Sequence, residues 1–127
     1  MHLQPLPGAP LWAGDLEAVQ AAALADSRAY LEGGADGLIV ENFGDAPFWG
    51  ERVPPETVAS MARIATAVVA AIPLPVGLNV LRNDALAALA IAQASGARFI
   101  RVNVLTGAIV TDQGLLQGPA AELLRRR

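Results

Sequence analysis

The sequence contains no cysteine, which removes disulfides, thiolate nucleophiles and cysteine-ligated metals. It contains no lysine either: all nine basic residues are arginine, so Schiff-base chemistry cannot come from this chain. His2 is the only histidine and the only side chain that titrates near neutral pH unperturbed. Without a second histidine, a Ser-His-Asp arrangement has little to build on. No Walker, GxGxxG or HExxH pattern occurs, and no apolar run approaches the roughly 18 residues of a membrane span. Charge is scarce, at 17% of residues with a formal net charge of -3. The one basic cluster, Arg125-Arg126-Arg127, is too short for a nucleic-acid footprint, and cations there favour a helix C-terminus. No nucleic-acid partner is expected. The first seven residues lack the basic and apolar regions of a signal peptide, so the expected location is cytoplasmic.

What the chain has in quantity is apolar residues, 54% of 127, enough to form a core. Three short runs dominate: Gly37-Leu-Ile-Val-Glu-Asn42, Val76-Gly-Leu-Asn-Val80 and Phe99-Ile-Arg-Val-Asn-Val104. Each holds a polar residue near its end, and a segment of helical pattern joins each to the next. Gly34-Ala-Asp-Gly-Leu-Ile-Val40 realigns on Gly96-Ala-Arg-Phe-Ile-Arg-Val102 after 62 positions. That spacing is two units of about 31 residues, the length of a strand–helix repeat in a parallel sheet.

Helix signals punctuate these runs. Asp15 can cap a first helix that Gly33-Gly34 ends, with Leu16, Val19, Ala23, Ser27, Tyr30 and Leu31 on one stripe. A second follows Pro54-Pro55 and stops at Pro73; its face is Val58, Met61, Ala62, Ala65, Val68, Val69 and Ile72. Asp84 can cap a third, with Leu86, Leu89 and Ala90 inward and Gly96 at its end. A fourth begins at Gly118-Pro119 and runs to Arg127.

Side-chain alternation sorts the strands. Leu38, Val40, Val76, Leu78, Val80, Ile100, Val102 and Val104 form a wholly aliphatic face, suited to a covering of helices. The other face carries Gly37, Ile39, Glu41, Gly77, Asn79, Phe99, Arg101 and Asn103. A doubly wound sheet would want aliphatic residues on both faces. A polar second face suits the interior of a (β/α)8 barrel, where inward residues at the strand ends reach the site. The expected fold class is therefore α/β of the parallel TIM-barrel type, with strands near residues 37–42, 76–81 and 99–104. Such barrels need about 200 residues or more. Residues 1–127 read as a single partial domain, a truncated N-terminal half-barrel from a clipped first strand through the start of helix four. Its open edges predict self-association or dependence on the missing half of the barrel.

Four stretches resemble the BtpA (BtpA/SgcQ) family: His2-Leu-Gln-Pro-Leu-Pro-Gly8, Gly37 to Phe48, Asn79-Val-Leu-Arg-Asn-Asp84, and Arg101 to Gly107 with Thr111-Asp-Gln-Gly114. The resemblance implies a TIM barrel. It also implies a photosystem I biogenesis or stability factor, because cyanobacterial members give the family its name, and with that a peripheral membrane association. Many relatives occur in organisms without photosynthesis, so the role is not general to the family. The alternative is a barrel enzyme acting on a small polar metabolite, phosphorylated or nucleoside- or sugar-like.

The candidate chemistry lies at the strand ends. Glu41, a carboxylate in a barrel mouth, could serve as general base or metal ligand; the alternative is a structural ion pair with Arg101. His2 is the second catalytic candidate, at the end of the first strand. Asn79 and Asn103, with Asn42, offer amides to a polar ligand, or bond to one another. Arg82 could meet an anion; Asn83 and Asp84 share its loop, and Asp84 also reads as a helix cap. Thr106 and Asp112 belong to the long loop from Leu105 to Gln117, a lid or binding-loop candidate. Glu41, Asn79 and Asn103 are expected to converge, with Arg101 beneath them. Phe43, Phe48 and Trp49 could stack on a base or sugar, or close over the barrel. Metal and cofactor stay unassigned.

Overall fold

A computed structural model describes residues 1–126; Arg127, the expected end of the last helix, lies outside the described residues. Three α/β units follow one another: α1 (Leu16–Glu32), β1 (Leu38–Glu41), α2 (Pro55–Ala71), β2 (Val76–Asn79), α3 (Ala85–Ser95) and β3 (Phe99–Ile100). A hairpin, β4 (Ala108–Thr111) with β5 (Gly114–Gln117), and a last helix, α4 (Ala120–Arg126), complete the order. The sheet runs β1-β2-β3, parallel throughout. Met1–Leu3 lies beside β1 in the same sense: Leu3 N donates to Glu41 O and Glu41 N to Met1 O, with an isolated parallel bridge between His2 and Glu41.

The capping signals act locally as expected. The Asp15 carboxylate accepts from Ala18 N at the head of α1, and Asp84 accepts from Ala87 N at the head of α3. Each satisfies an amide that the first helical turn leaves orphaned. Gly96 ends α3 in the left-handed region, at φ 81°, where a side chain would be strained. The aliphatic strand face is the core: Leu38, Val40, Val76, Leu78, Val80 and Val104 are buried. Against it pack Met61, Ile64, Ala65 and Val68 of α2, with Ala88 and Ile91 of α3.

Several expectations need correction. Tyr30 is about half exposed rather than on the α1 stripe. On α3 the inward residues are Ala85, Ala87, Ala88, Ile91 and Ala92, while Ala90 faces outward. That helix is apolar nearly all round, so periodicity selects no single face; small alanines let it approach the sheet. The third strand is shorter than 99–104. Past Ile100 one more ladder bond forms, Arg101 N to Leu78 O, and then the Asn79 side-chain amide, not its backbone, takes Arg101 O. The long loop after it is in part a regular antiparallel hairpin, turning at Thr111-Asp-Gln-Gly114 with Gly114 at φ 95°.

Register departs from the repeat in one respect. Val40 pairs with Leu78 and Leu78 with Ile100, so positions at one level of the sheet are 60 apart. Glu41 is accordingly level with Arg101, not with Asn103, its mate in the 62-residue repeat.

Candidate functional site

On the side of the sheet opposite the helices, the three strands present two rows. The lower row is Ile39, Gly77 and Phe99. Here the glycine is a spatial need: a Cβ on Gly77 would sit 2.3 Å from a ring carbon of Phe99, so the ring lies across the gap. The upper row is Glu41, its register partner Asn79 and, one step past the Leu78–Ile100 rung, Arg101.

In that row Arg101 Nη1 donates to Glu41 Oε1 at 2.7 Å. Glu41 is only 8% exposed, whereas the Arg101 side chain is 55% exposed. The buried carboxylate is thus held by a cation that keeps its other N–H groups in solvent. His2 Nε2 stands 3.4 Å from Glu41 Oε2, too long for a strong bond. Its ring stacks on Phe43 at 4.1 Å, and Phe48 meets Phe43 edge-on.

Asn79 is 1% exposed. Its Nδ2 donates to Arg101 O at 3.0 Å and Asn103 Oδ1 at 3.1 Å, while its Oδ1 is buried and has no partner among the described residues. The amide cannot turn over to relieve this, because its oxygen would then face two other oxygens. An unmet buried acceptor costs about 1–3 kcal/mol, and among native side chains such groups ask for an explanation.

The other candidates divide by what already holds them. Asn103 Nδ2 donates to Arg82 O, bringing Asn103 beside Asn79 and leaving Arg101 level with Glu41 rather than beneath it. Asn42 is buried and occupied at both ends: its Oδ1 accepts from Leu81 N and its Nδ2 donates to Asp45 Oδ2. Asn83 is also occupied, its Oδ1 accepting from Val104 N and its Nδ2 donating to Val104 O. Asp84 uses its second oxygen on Val53 N. Arg82 lies over the Phe48 ring at 5.0 Å, donates from Nε to Gln113 Oε1 and reaches Asp112 Oδ1 at 3.4 Å. Thr106 is exposed at the approach to the hairpin. Glu41, Asn79, Arg101, Asn103 and His2 therefore form one group, Arg82 and Asp112 a second at the hairpin, and Asn42, Asn83 and Asp84 tie loops to strands.

Sequence reasoning passed over Asp45. Its Oδ1 accepts from Leu6 N and its Oδ2 from Asn42, clamping the N-terminal segment under the loop after β1. Burial pushes its carboxyl above the ordinary carboxylate value, and the bonds from Leu6 and Asn42 pull partly back. Gly44 is the accompanying signal: a Cβ there would meet Pro5 N at 2.6 Å and Leu3 O at 2.7 Å. Among the described residues no cluster of three or more His, Asp or Glu stands ready for a metal, and no helix is long and apolar enough to cross a membrane.

The sequence matches the BtpA family model over residues 1–127. It is 54% identical, along its whole length, to the "Photosystem I biogenesis protein BtpA" of Synechocystis sp., covering 44% of that protein. An uncharacterized protein of Pyrococcus furiosus is 50% identical over 97% of the chain and 47% of its own length. The "Putative sgc region protein SgcQ" of Escherichia coli is 37% identical over 99% of the chain and 47% of its own. The chain spans about half the length of these curated relatives. No solved structure matches it. On the extent of the family match and these identities, the chain belongs to the BtpA family.

Proposed function

We propose that this chain forms the first half of a (β/α)8 barrel and carries, at the carboxyl ends of its parallel strands, part of a site for a small polar ligand. The barrel reading draws support from register. Sheet levels recur after 60 residues and sequence equivalents after 62, a stagger of two residues over two strand steps. A shear of 8 over eight strands demands about one residue per strand. Inward residues at that end of the strands are where such barrels bind and react.

The observation that carries the ligand site is the unpartnered Asn79 Oδ1, beside a buried carboxylate. A barrel interior filled only for stability would place aliphatic groups in this row. The resemblance to the Synechocystis protein supports a photosystem I biogenesis or stability role, with the ligand as a regulator of that role.

A second reading is a barrel enzyme, and the Glu41–His2 approach favours it. A carboxylate beside an imidazole is an acid–base pair, His2 exchanging the proton and Glu41 fixing its orientation. Native mass spectrometry of gently purified protein tests the site. A small-molecule adduct is expected on the wild type and not on Glu41→Gln. An adduct that persists on Glu41→Gln, or none on either, would count against the reading. Chemical conversion of the released molecule on re-addition would favour the enzyme.

A further inference from the structure

We infer that the outer edge of the β4–β5 hairpin docks a second copy of this chain, β4 pairing antiparallel with the second copy's β4 about a two-fold axis. The inference goes beyond the ligand reading above, since this edge lies outside the polar row. Main-chain geometry identifies the edge. Gly118 N donates to Gly107 O, and the ladder sets Ile109 opposite Leu116 and Thr111 opposite Gly114. In an antiparallel ladder every second residue turns its N–H and C=O to the same neighbour. Gly107, Ile109 and Thr111 therefore face β5, while Ala108 and Val110 turn their main-chain groups the other way. Both of these residues are exposed, Val110 to 84%.

The residues along the edge point to its occupant. From Leu105 through Thr111 there is neither charge nor proline, the devices that protect natural edges from pairing. The strand is also complementary to itself. A two-fold axis through Ile109 sets Ile109 against the second copy's Ile109, Val110 against its Ala108 and Thr111 against its Gly107. On either side of the centre a bulky residue thus meets a small one, and no like charges are opposed. That register keeps every side chain on its own face and lets Ala108 and Val110 exchange main-chain bonds with the second copy's Val110 and Ala108. Val110 lies opposite Leu115 within the hairpin, so Val110 and Leu115 of both copies join into one aliphatic strip. A two-stranded ribbon is marginal alone, and this pairing makes it a sheet of four. The other open edge suits self-pairing less. β3 is two residues long and is flanked by Arg98 and Arg101, so two arginines from each copy would gather at one short seam.

The chain has no cysteine, so a single introduced cysteine can bridge only two copies. In this register the two Ile109 residues form a non-hydrogen-bonded pair with Cα atoms about 4.5 Å apart, within the span of a disulfide. Ile109→Cys is therefore expected to give a covalent dimer on mild oxidation of dilute protein, and Phe99→Cys, at the β3 edge, is not. Sedimentation velocity should show a wild-type dimer whose dissociation constant Val110→Lys raises roughly tenfold or more, by placing charge on the edge. Hydrogen exchange in β5 checks that the hairpin persists in Val110→Lys; should it be lost, the cysteine variants decide. A wild type that stays monomeric across the micromolar range would overturn the inference, as would a dimer that Val110→Lys leaves unchanged with the hairpin intact. Bridging through Phe99→Cys in place of Ile109→Cys would move the interface to β3 and overturn it as well. None of these readouts depends on an adduct at Glu41, so the small-ligand reading stands or falls separately.

Discussion

At the scale of single residues, glycines and one buried carboxyl give the sharpest consequences. A Cβ on Gly44 collides with the backbone of Leu3, Gln4 and Pro5, which cannot swing aside. Gly44→Ala should therefore cost about 1–3 kcal/mol or more, read by chemical denaturation. The atoms nearest a Cβ on Gly77 all belong to the Phe99 ring, which is partly exposed and can rotate away, so the cost of Gly77→Ala should be smaller. An equal loss in both would contradict this account. Asp45 provides a pH signature. Its folded pKa lies above the unfolded value of 3.8, so with rising pH the unfolded chain releases this proton first. Its contribution to stability is present below 3.8 and declines as pH rises through the folded value. The difference in unfolding free energy between wild type and Asp45→Asn should accordingly fall as pH increases across that window; a rising difference would refute the assignment. The role of Asp45 was illegible in sequence because an aspartate in a Gly-Asp-Ala-Pro turn looks like any turn former. Only the fold brings Leu6 N to it.

At the scale of elements, legibility follows the strength of the local pattern. The aliphatic sets of β1 and β2 stood out because alternation has one reading. Asp15 and Asp84 stood out because a cap is a local bond. The inward face of α3 did not, since an alanine-rich helix has no polar side to exclude. Nor did the β4–β5 hairpin, although Thr111-Asp-Gln-Gly114 between two β-rich runs was its signal. The hairpin is fastened from outside by Arg82, through Gln113, Asp112 and the Phe48 ring. These are partly exposed contacts, so Arg82→Ala should lower global stability by only about 1 kcal/mol. Hydrogen exchange in β4 and β5 should nevertheless speed up markedly while β1 and β2 stay protected. Unchanged exchange in the hairpin would mean that Arg82 does not hold it. Among the site residues, the polar strand ends were visible from sequence. Which amides were already occupied was not, because Asn42 and Asn83 bond to backbone groups distant in the chain.

At the scale of the whole molecule, the β3 edge is open and its surroundings are apolar. Phe99, Leu124 and the hairpin residues Ile109, Val110 and Leu115 are all substantially exposed. Unpaired strand edges beside apolar surface seek partners. The 127-residue chain by itself is therefore expected to self-associate or unfold at modest temperature. Analytical ultracentrifugation with thermal denaturation checks this, and a monomer that unfolds cooperatively at high temperature would contradict it. The parallel order β1-β2-β3 was readable from the 62-residue repeat. Its two-residue offset from sheet level was not, because stagger belongs to how strands tilt together rather than to any one of them.

The Asn83 amide bonds to both the N–H and the carbonyl of Val104, the pattern with which one strand residue pairs with another. A side chain thus counterfeits the rung that β2 and β3 no longer share. The loop bearing Arg82 and the segment leading into the hairpin are thereby latched together, and neither can lift without breaking both bonds at once. Motion above the strand ends should then show one opening rate, not two, as a door on a single hinge has one swing.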